Sequence, residues 1–382
     1  MMRMLRERVA RSPVLGWCSV ALVCWSLVGF CVAFLPFKPT TGLFTRELAA
    51  WPFLDGWVRW DARWYGQIAR EGYAFVPGQQ CSVAFFPLYP LLIRALSSLG
   101  LSPFIAGILL TCCCGLGGVM AFSRWAQERE WFNGFEEGTA RWATWLLLLW
   151  PYAFFIYGAV YSDALFFALV VGAFLALEHD RLLEATVLGA LATACRPIAP
   201  AVVVGLLVRQ CERRLRQGQR LRAIDLLPVL SVLGLLAWMA YQYRAFGTPF
   251  AFIEAQSGWH QAPSARTWLK LDFFTHVQQP HIYGYALPHA LLALLFIALA
   301  VPVARRLGWG YGAYSLLAMG MPLASSYQFI GLGRYALAAF PCFLVLAEGL
   351  RARPLRGTVW LWASSALMLF MTAKFALARY VS

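Results

Sequence analysis

Residues 13–36 read PVLGWCSVALVCWSLVGFCVAFLP, an apolar run without a charged side chain. About 20 such residues, wound as a helix, cross the roughly 30 Å hydrocarbon core of a bilayer. The run exceeds the ~7–15 residue apolar region of a signal peptide and lacks a convincing small-residue cleavage site. It is read as an uncleaved first span. Further candidate spans are 101–123, 141–158, 162–178, 183–195, 198–208, 226–245, 286–304, 310–326, 334–350 and 357–378. None shows the two-residue alternation of barrel strands. The expected fold is all-α and polytopic, with about 9–12 transmembrane helices.

Composition points the same way. Of 382 residues, 60% are hydrophobic and 13% charged, and the mean hydropathy is +0.62. A soluble domain carries roughly 25% charged residues. Soluble enzymes, secreted disulfide scaffolds and disordered chains are thereby excluded. The 10 Cys lie mostly in or beside apolar runs, where Cys acts as a small hydrophobe. No paired CxxC spacing suggests zinc, and no cofactor or divalent cation is indicated. The net charge of +14 is scattered between apolar runs, which argues against nucleic acid as a partner. No internal repeat or Gly/Ser linker divides the chain, so residues 1–382 are read as a single membrane domain.

Basic residues set the orientation. With the N-terminus inside, segments 1–12, 124–141, 179–182, 209–225, 305–309 and 351–356 hold 19 of the 32 Lys and Arg. The long outer loops, 37–83 and 247–285, hold 7. This follows the positive-inside rule, and the run at 209–222 is read as a solvated cytoplasmic loop.

Chemistry is then expected in the outer loops or in cavities between spans. Residues 53–73 read FLDGWVRWDARWYGQIAREGY. Wound as one helix with Asp61 at zero, Trp57, Trp64, Tyr65 and Ile68 fall within about 60° of it, and Arg59, Arg63 and Arg70 at roughly 160–200°. An interfacial amphipathic helix results, with a carboxylate in the centre of its aromatic face. That is costly unless the face meets a wet or cationic cavity; pairing of Asp61 with an Arg from another segment is the structural alternative. The following CSVAFFPLYPLLIRAL suits a short re-entrant or surface helix.

Further polar residues lie at membrane depth. In WPYAFFIYGAVYSDA (150–164), Ser162 can cap the next helix and Asp163 can sit in its first turn. Arg196, in ATACRPIAPAV, lies between two apolar runs, where an arginine usually meets a cavity or a partner; phosphate suits its fork. Arg334, in GLGRYALAAFP, begins a late span. After a Gly-Thr-Pro turn, GTPFAFIEAQSGW presents Glu254, Gln256 and Trp259. His260, His276, His281 and His289 lack metal-motif spacing and are read as interfacial hydrogen-bonding groups.

Trp60-Asp61-Ala62-Arg63-Trp64-Tyr65 with Ile68-Ala69 and Gly72-Tyr73, then AFFPLYP, WPYAFFIYGAVYSDALFFAL, ACRP, GTPFAFIEAQSGW and GRYALAAFP, resemble in order the signatures of the PIG-V family, the GPI mannosyltransferase 2 group. Asp163 stands where many members have Glu. The resemblance spans roughly residues 50–345. It implies a C-type glycosyltransferase (GT-C) fold with a catalytic carboxylate in the first non-cytoplasmic loop, at Asp61. It implies a polyprenyl-phosphate sugar donor, mannose as the sugar, and Arg196 and Arg334 on the lipid phosphate. Trp60, Arg63, Tyr65, Ser162, Asp163, Gln256 and Trp259 would bind or support substrate. The implied chemistry is inverting transfer to an extracytoplasmic acceptor that the motifs do not specify. The Arg-over-Lys excess and short loops point to a bacterial cytoplasmic membrane. A lipid or solute transporter, which could also use buried Arg and broken helices, and a non-catalytic binder of lipid-linked sugar remain alternatives.

Overall fold

The computed structural model describes residues 12–36, 47, 48, 50–259, 261, 264–275, 280–326, 329, 331–379 and 381. The basic segment 1–11 and the residues His260 and His276 lie outside these. In chain order the main helices are α1 (Pro13–Phe34), α2 (Asp61–Glu71), α3 (Leu88–Ser97), α4 (Pro103–Phe132), α5 (Thr139–Leu148), α6 (Asp163–Glu178) and α7 (Leu182–Thr193). Then come α8 (Ala199–Arg216), α9 (Leu233–Phe246), α10 (Pro280–Leu307), α11 (Trp309–Ser325), α12 (Pro341–Arg351) and α13 (Pro354–Ala376). The described residues form an all-helical membrane protein, without strands.

Five helices among the described residues are long and apolar enough to cross a membrane: Pro13–Phe34, Pro103–Phe132, Ala223–Phe246, Ala286–Leu307 and Pro354–Ala376. Their starts follow from local chemistry. Ser12 and Ser102 accept the Leu15 and Ile105 N–H groups at 3.4 and 3.3 Å, and proline occupies the first helical position of α1 and α4. α1 buries Trp17, Val20, Cys24 and Val28 while Leu22, Phe30 and Phe34 stay exposed, as a helix with one protein face and one lipid face does.

The other expected spans are helices of 10 to 18 residues, shorter than the ~20 a lone span needs. Proline sets several breaks. The expected span 141–158 stops at Leu148, because Pro151 has no N–H to continue it. Residues 150–162 then run as buried turns. Irregular backbone at such depth must find partners in protein. Trp25 Nε1 donates to Tyr157 O at 2.7 Å, Thr111 Oγ1 to Ala159 O at 2.9 Å, and Tyr157 Oη to Leu148 O at 2.6 Å.

Contacts group the described residues into two compact units. The first takes them from Met1–Arg70, Leu91–Val171 and Phe343–Val381, and the second from Glu71–Pro90 and Gly172–Cys342. In the first unit α4 packs on α5, and α1 on α13. In the second, α8 and α10 both pack on α11.

A buried ion network ties helix ends together in the second unit. Arg209 donates to Glu178 at 2.7 Å, to Glu212 at 3.0 Å and to Leu307 O at 3.2 Å. Tyr311 Oη also donates to Glu178, at 2.9 Å. This corrects the reading of 209–222 as a solvated loop: α8 continues to Arg216, Arg209 is buried, and the loop begins only at Gln217.

Candidate active site

Residues 53–73 do not form one continuous helix. Pro52–Asp55 forms a single turn, the chain bends through 56–60, and α2 begins at Asp61. Trp60 lies in the left-handed region, at φ 53°, a conformation uncommon for a bulky side chain. It breaks the helical phase assumed for the loop, so Arg59 does not share the exposed face of Arg63 and Arg70. Arg59 is 1% exposed. Its Nη2 meets Asp55 Oδ2 at 3.0 Å, Nη1 donates to Asp55 O and Val58 O at 2.6 and 2.8 Å, and Nε donates to Ala376 O at 3.0 Å. Asp55 Oδ1 also accepts the Leu48 N–H at 3.0 Å. Both charges of this buried pair are thus met by further hydrogen bonds, the condition under which such pairs are tolerated.

The bend presents Asp61, half-buried, as the first residue of α2. A carboxylate there is favoured by the helix dipole. The Asp61 backbone N–H donates to Tyr161 Oη at 3.2 Å. One turn on, Tyr65 Oη donates to Ser162 Oγ at 3.1 Å. Tyr161, Ser162 and Asp163 are all buried, and Asp163 begins α6. The structure therefore brings Asp61 and Tyr65 against the Tyr161–Asp163 segment, a long-range cluster in the first unit. Ser162 lies directly before α6, and its hydroxyl accepts from Tyr65. Arg63 pairs with Glu47 at 3.3 Å. Among the described residues no group of three His, Cys, Asp or Glu is arranged to hold a metal ion.

In the second unit, Arg196 occupies the break between α7 and α8, where Pro197 prevents continuation. It is 5% exposed, and its guanidinium carbon stands 4.5 Å from the centre of the Tyr335 ring. Arg334 lies in the short turn Leu332–Tyr335, which starts at Gly331 with φ 81°, and its guanidinium carbon is 5.6 Å from the same ring. The two arginines, 138 positions apart in the chain, converge on one tyrosine. Buried His289 steadies the turn by accepting the Gly333 N–H on Nδ1 at 3.1 Å. Leu88 N–H donates to Ala194 O at 3.0 Å, setting the end of AFFPLYP beside the Arg196 break.

Gln256 and Trp259 belong to another part of this unit. Gln256 Nε2 donates to Phe252 O at 3.4 Å, and the Trp259 ring lies 6.0 Å from that of Phe85. Trp259 packs against the aromatic cluster of Phe86 and Trp238. Glu254 accepts from Thr248 Oγ1 at 3.2 Å.

Sequence reasoning passed over Tyr161 and Tyr335. Each adjoins a nominated residue, but an aromatic ring in an apolar run carries no signal separating core from site.

No curated protein matches the chain. Among solved structures, the oligosaccharyltransferase of Archaeoglobus fulgidus in complex with zinc and sulfate is similar at a TM-score of 0.47 and 15% identity, over 94% of this chain and 53% of that one. The apo form gives 0.44 and 12%, over 95% and 56%. The chain thus spans about half the length of these structures. The profile described as Mannosyltransferase (PIG-V) matches residues 44–286, more than half of the sequence and the stretch that contains Asp61, Ser162, Asp163 and Arg196. The chain belongs to the mannosyltransferase (PIG-V) family.

Proposed function

We propose that this chain is a membrane glycosyltransferase that moves mannose from a polyprenyl-phosphate donor to an extracytoplasmic acceptor with inversion, and that Asp61 is its general base. The reading is carried by the placement of Asp61 at the start of α2, with its backbone anchored to Tyr161. It is supported by the match of the surrounding segment to a mannosyltransferase family.

In this mechanism Asp61 takes the proton of an acceptor hydroxyl. The hydroxyl oxygen attacks the anomeric carbon in line, and the bond to the phosphate oxygen breaks with its electron pair passing to the leaving phosphate. Arg196 and Arg334 hold that phosphate, as guanidinium forks do, and offset its growing charge. Trp60, Arg63, Tyr65, Ser162, Asp163, Gln256 and Trp259 are assigned to binding or supporting substrate. The distribution of basic residues supports an orientation with the N-terminus in the cytoplasm and Asp61 on the outer face of a bacterial inner membrane.

The test is transfer of radiolabelled mannose from a polyprenyl-phosphate donor in membranes, comparing wild type with Asp61→Asn. General-base assistance contributes about 10²–10⁴ in rate, so a folded variant should lose that much. Transfer that survives the substitution removes Asp61 from the chemistry and directs attention to Asp163 or Glu254. Failure of wild type with mannose and glucose donors alike, alongside solute movement in sealed vesicles, would favour transport.

A further inference from the structure

The end of α8 and the loop after it carry six arginines between 209 and 222. Arg209 is consumed in the buried ion network, and Arg213 and Arg216 pair with Asp180 and Glu212, each at 2.7 Å. The remaining three, Arg214, Arg220 and Arg222, line a cavity of about 620 Å³ together with Gln219 and Leu221. Its volume lies within the roughly 300–1,000 Å³ of small-ligand clefts.

One wall of the cavity is fixed from below. Asp225, 2% exposed, accepts from Gln210 Nε2 at 2.7 Å and from the Arg222 backbone N–H at 2.8 Å. The same carboxylate lies 3.3 Å from Arg214 Nε, and Arg214 Nη1 also donates to Gln219 Oε1. Asp225 therefore offsets one of the three charges. Arg220 and Arg222 are exposed, and among the described residues no carboxylate forms an ion pair with either. The cavity keeps an excess of two positive charges.

Its setting identifies the anion. The next residue, Ala223, begins the apolar stretch Ala223–Phe246 that is long enough to cross the membrane. Leu221, Ile224 and Leu226 are 48%, 58% and 55% exposed. Aliphatic side chains thus adjoin guanidinium groups where an apolar helix meets the interface, matching acyl chain and headgroup. A soluble anion has no use for the first half of that arrangement. Guanidinium forks pair with phosphate oxygens, and a headgroup without a compensating cation satisfies the charge excess.

We propose that the cavity lined by Arg214, Arg220 and Arg222 binds the phosphate of an anionic phospholipid headgroup. The site is separate from the glycosyl-transfer reading and stands or falls without it.

The experiment is native mass spectrometry of the full chain released from detergent and titrated with dioleoylphosphatidylglycerol, dioleoylphosphatidylcholine or sn-glycerol 3-phosphate. Wild type should hold phosphatidylglycerol in preference to phosphatidylcholine. An Arg220→Gln/Arg222→Gln double variant should bind phosphatidylglycerol roughly thirty-fold more weakly, and its phosphatidylcholine binding and melting temperature should not change. Arg305→Gln/Arg306→Gln is the control, because those arginines end α10, whose last residue Leu307 contacts Arg209, and do not line the cavity. It should retain phosphatidylglycerol. An equal loss in this control would reduce the effect to general surface charge and overturn the proposal. Unchanged binding in the cavity variant would also overturn it, as would displacement of the lipid by glycerol 3-phosphate at matching concentration.

Discussion

The Asp61 backbone N–H and the Tyr161 hydroxyl are joined at 3.2 Å across one hundred residues of chain. That bond fixes the first turn of α2 to the segment leading into α6. The Tyr161 ring is held independently of its hydroxyl: it lies 4.8 Å from Phe155, 6.0 Å from Phe375 and 6.4 Å from Tyr65. Ring and hydroxyl can therefore be separated by substitution.

Tyr161→Phe should leave the fold standing, with a loss of about 0.5–1.5 kcal/mol for one hydrogen bond. If Asp61 is the base, the looser first turn should lower kcat by about tenfold, equivalent to roughly 1.4 kcal/mol of barrier. KM for the donor should not move. Steady-state kinetics beside a melting curve reads both effects, and an unchanged kcat in the folded variant would show that this anchor does not serve the reaction.

Arg59 and Asp55 should govern stability rather than specificity. Removing one member of a buried, hydrogen-bonded ion pair costs about 3–5 kcal/mol because the other is left uncompensated. Arg59→Met and Asp55→Asn should each lower the melting temperature sharply in detergent. Arg59→Lys should rescue only in part, since one ammonium cannot reach Asp55, Val58 O and Ala376 O from the positions of a guanidinium fork. Thermal unfolding at wild-type temperature in either neutral variant would contradict this assignment.

That pair also marks where sequence stopped being informative. The apolar runs give the long helices directly, whereas the serine caps before Pro13 and Pro103 emerge only with the structure. The amphipathic helix within 53–73 is legible too, but only from Asp61 onward. A helical wheel assumes an unbroken phase, and Trp60 with its φ of 53° resets it, which turns Arg59 from an exposed arginine into a buried one. Burial of Arg59 depends on the Ala376 carbonyl, 317 residues away, and periodicity holds no record of such a contact. Likewise Arg196 and Arg334 stood out as cations in apolar surroundings, whereas the ring they share did not.

The shared ring makes the two arginines separable in kinetics. If they hold the donor phosphate, Arg196→Gln or Arg334→Gln should raise KM for the polyprenyl-phosphate sugar by about 10–100-fold, the worth of one charge-assisted hydrogen bond at roughly 1.5–3 kcal/mol. Tyr335→Leu should produce a smaller rise by loosening both cation–ring contacts. Initial rates over a donor titration decide the matter. A fall in kcat with an unaltered KM would detach these residues from ground-state donor binding.

Lys270 supplies a pH-dependent prediction. It is 7% exposed, its ammonium donates to Ala324 O at 3.4 Å and to Ser326 O at the end of α11, and it lies 5.7 Å from the Phe329 ring. Burial disfavours the charged form and pulls its pKa from the ordinary 10.5 down to about 8. Between those values the unfolded chain binds more protons than the folded one, so stability contributed through this group rises with pH. Its penalty is full below about pH 8 and is relieved progressively toward pH 10.5. Lys270→Met keeps the apolar stem and removes the titration. The melting temperature of wild type minus that of the variant should therefore be flat below pH 8 and climb between pH 8 and 10.5. A difference that stays constant across that window would show that Lys270 titrates at its ordinary value in the folded protein, and one that falls would mean that its carbonyl partners hold the charged form more strongly than burial opposes it.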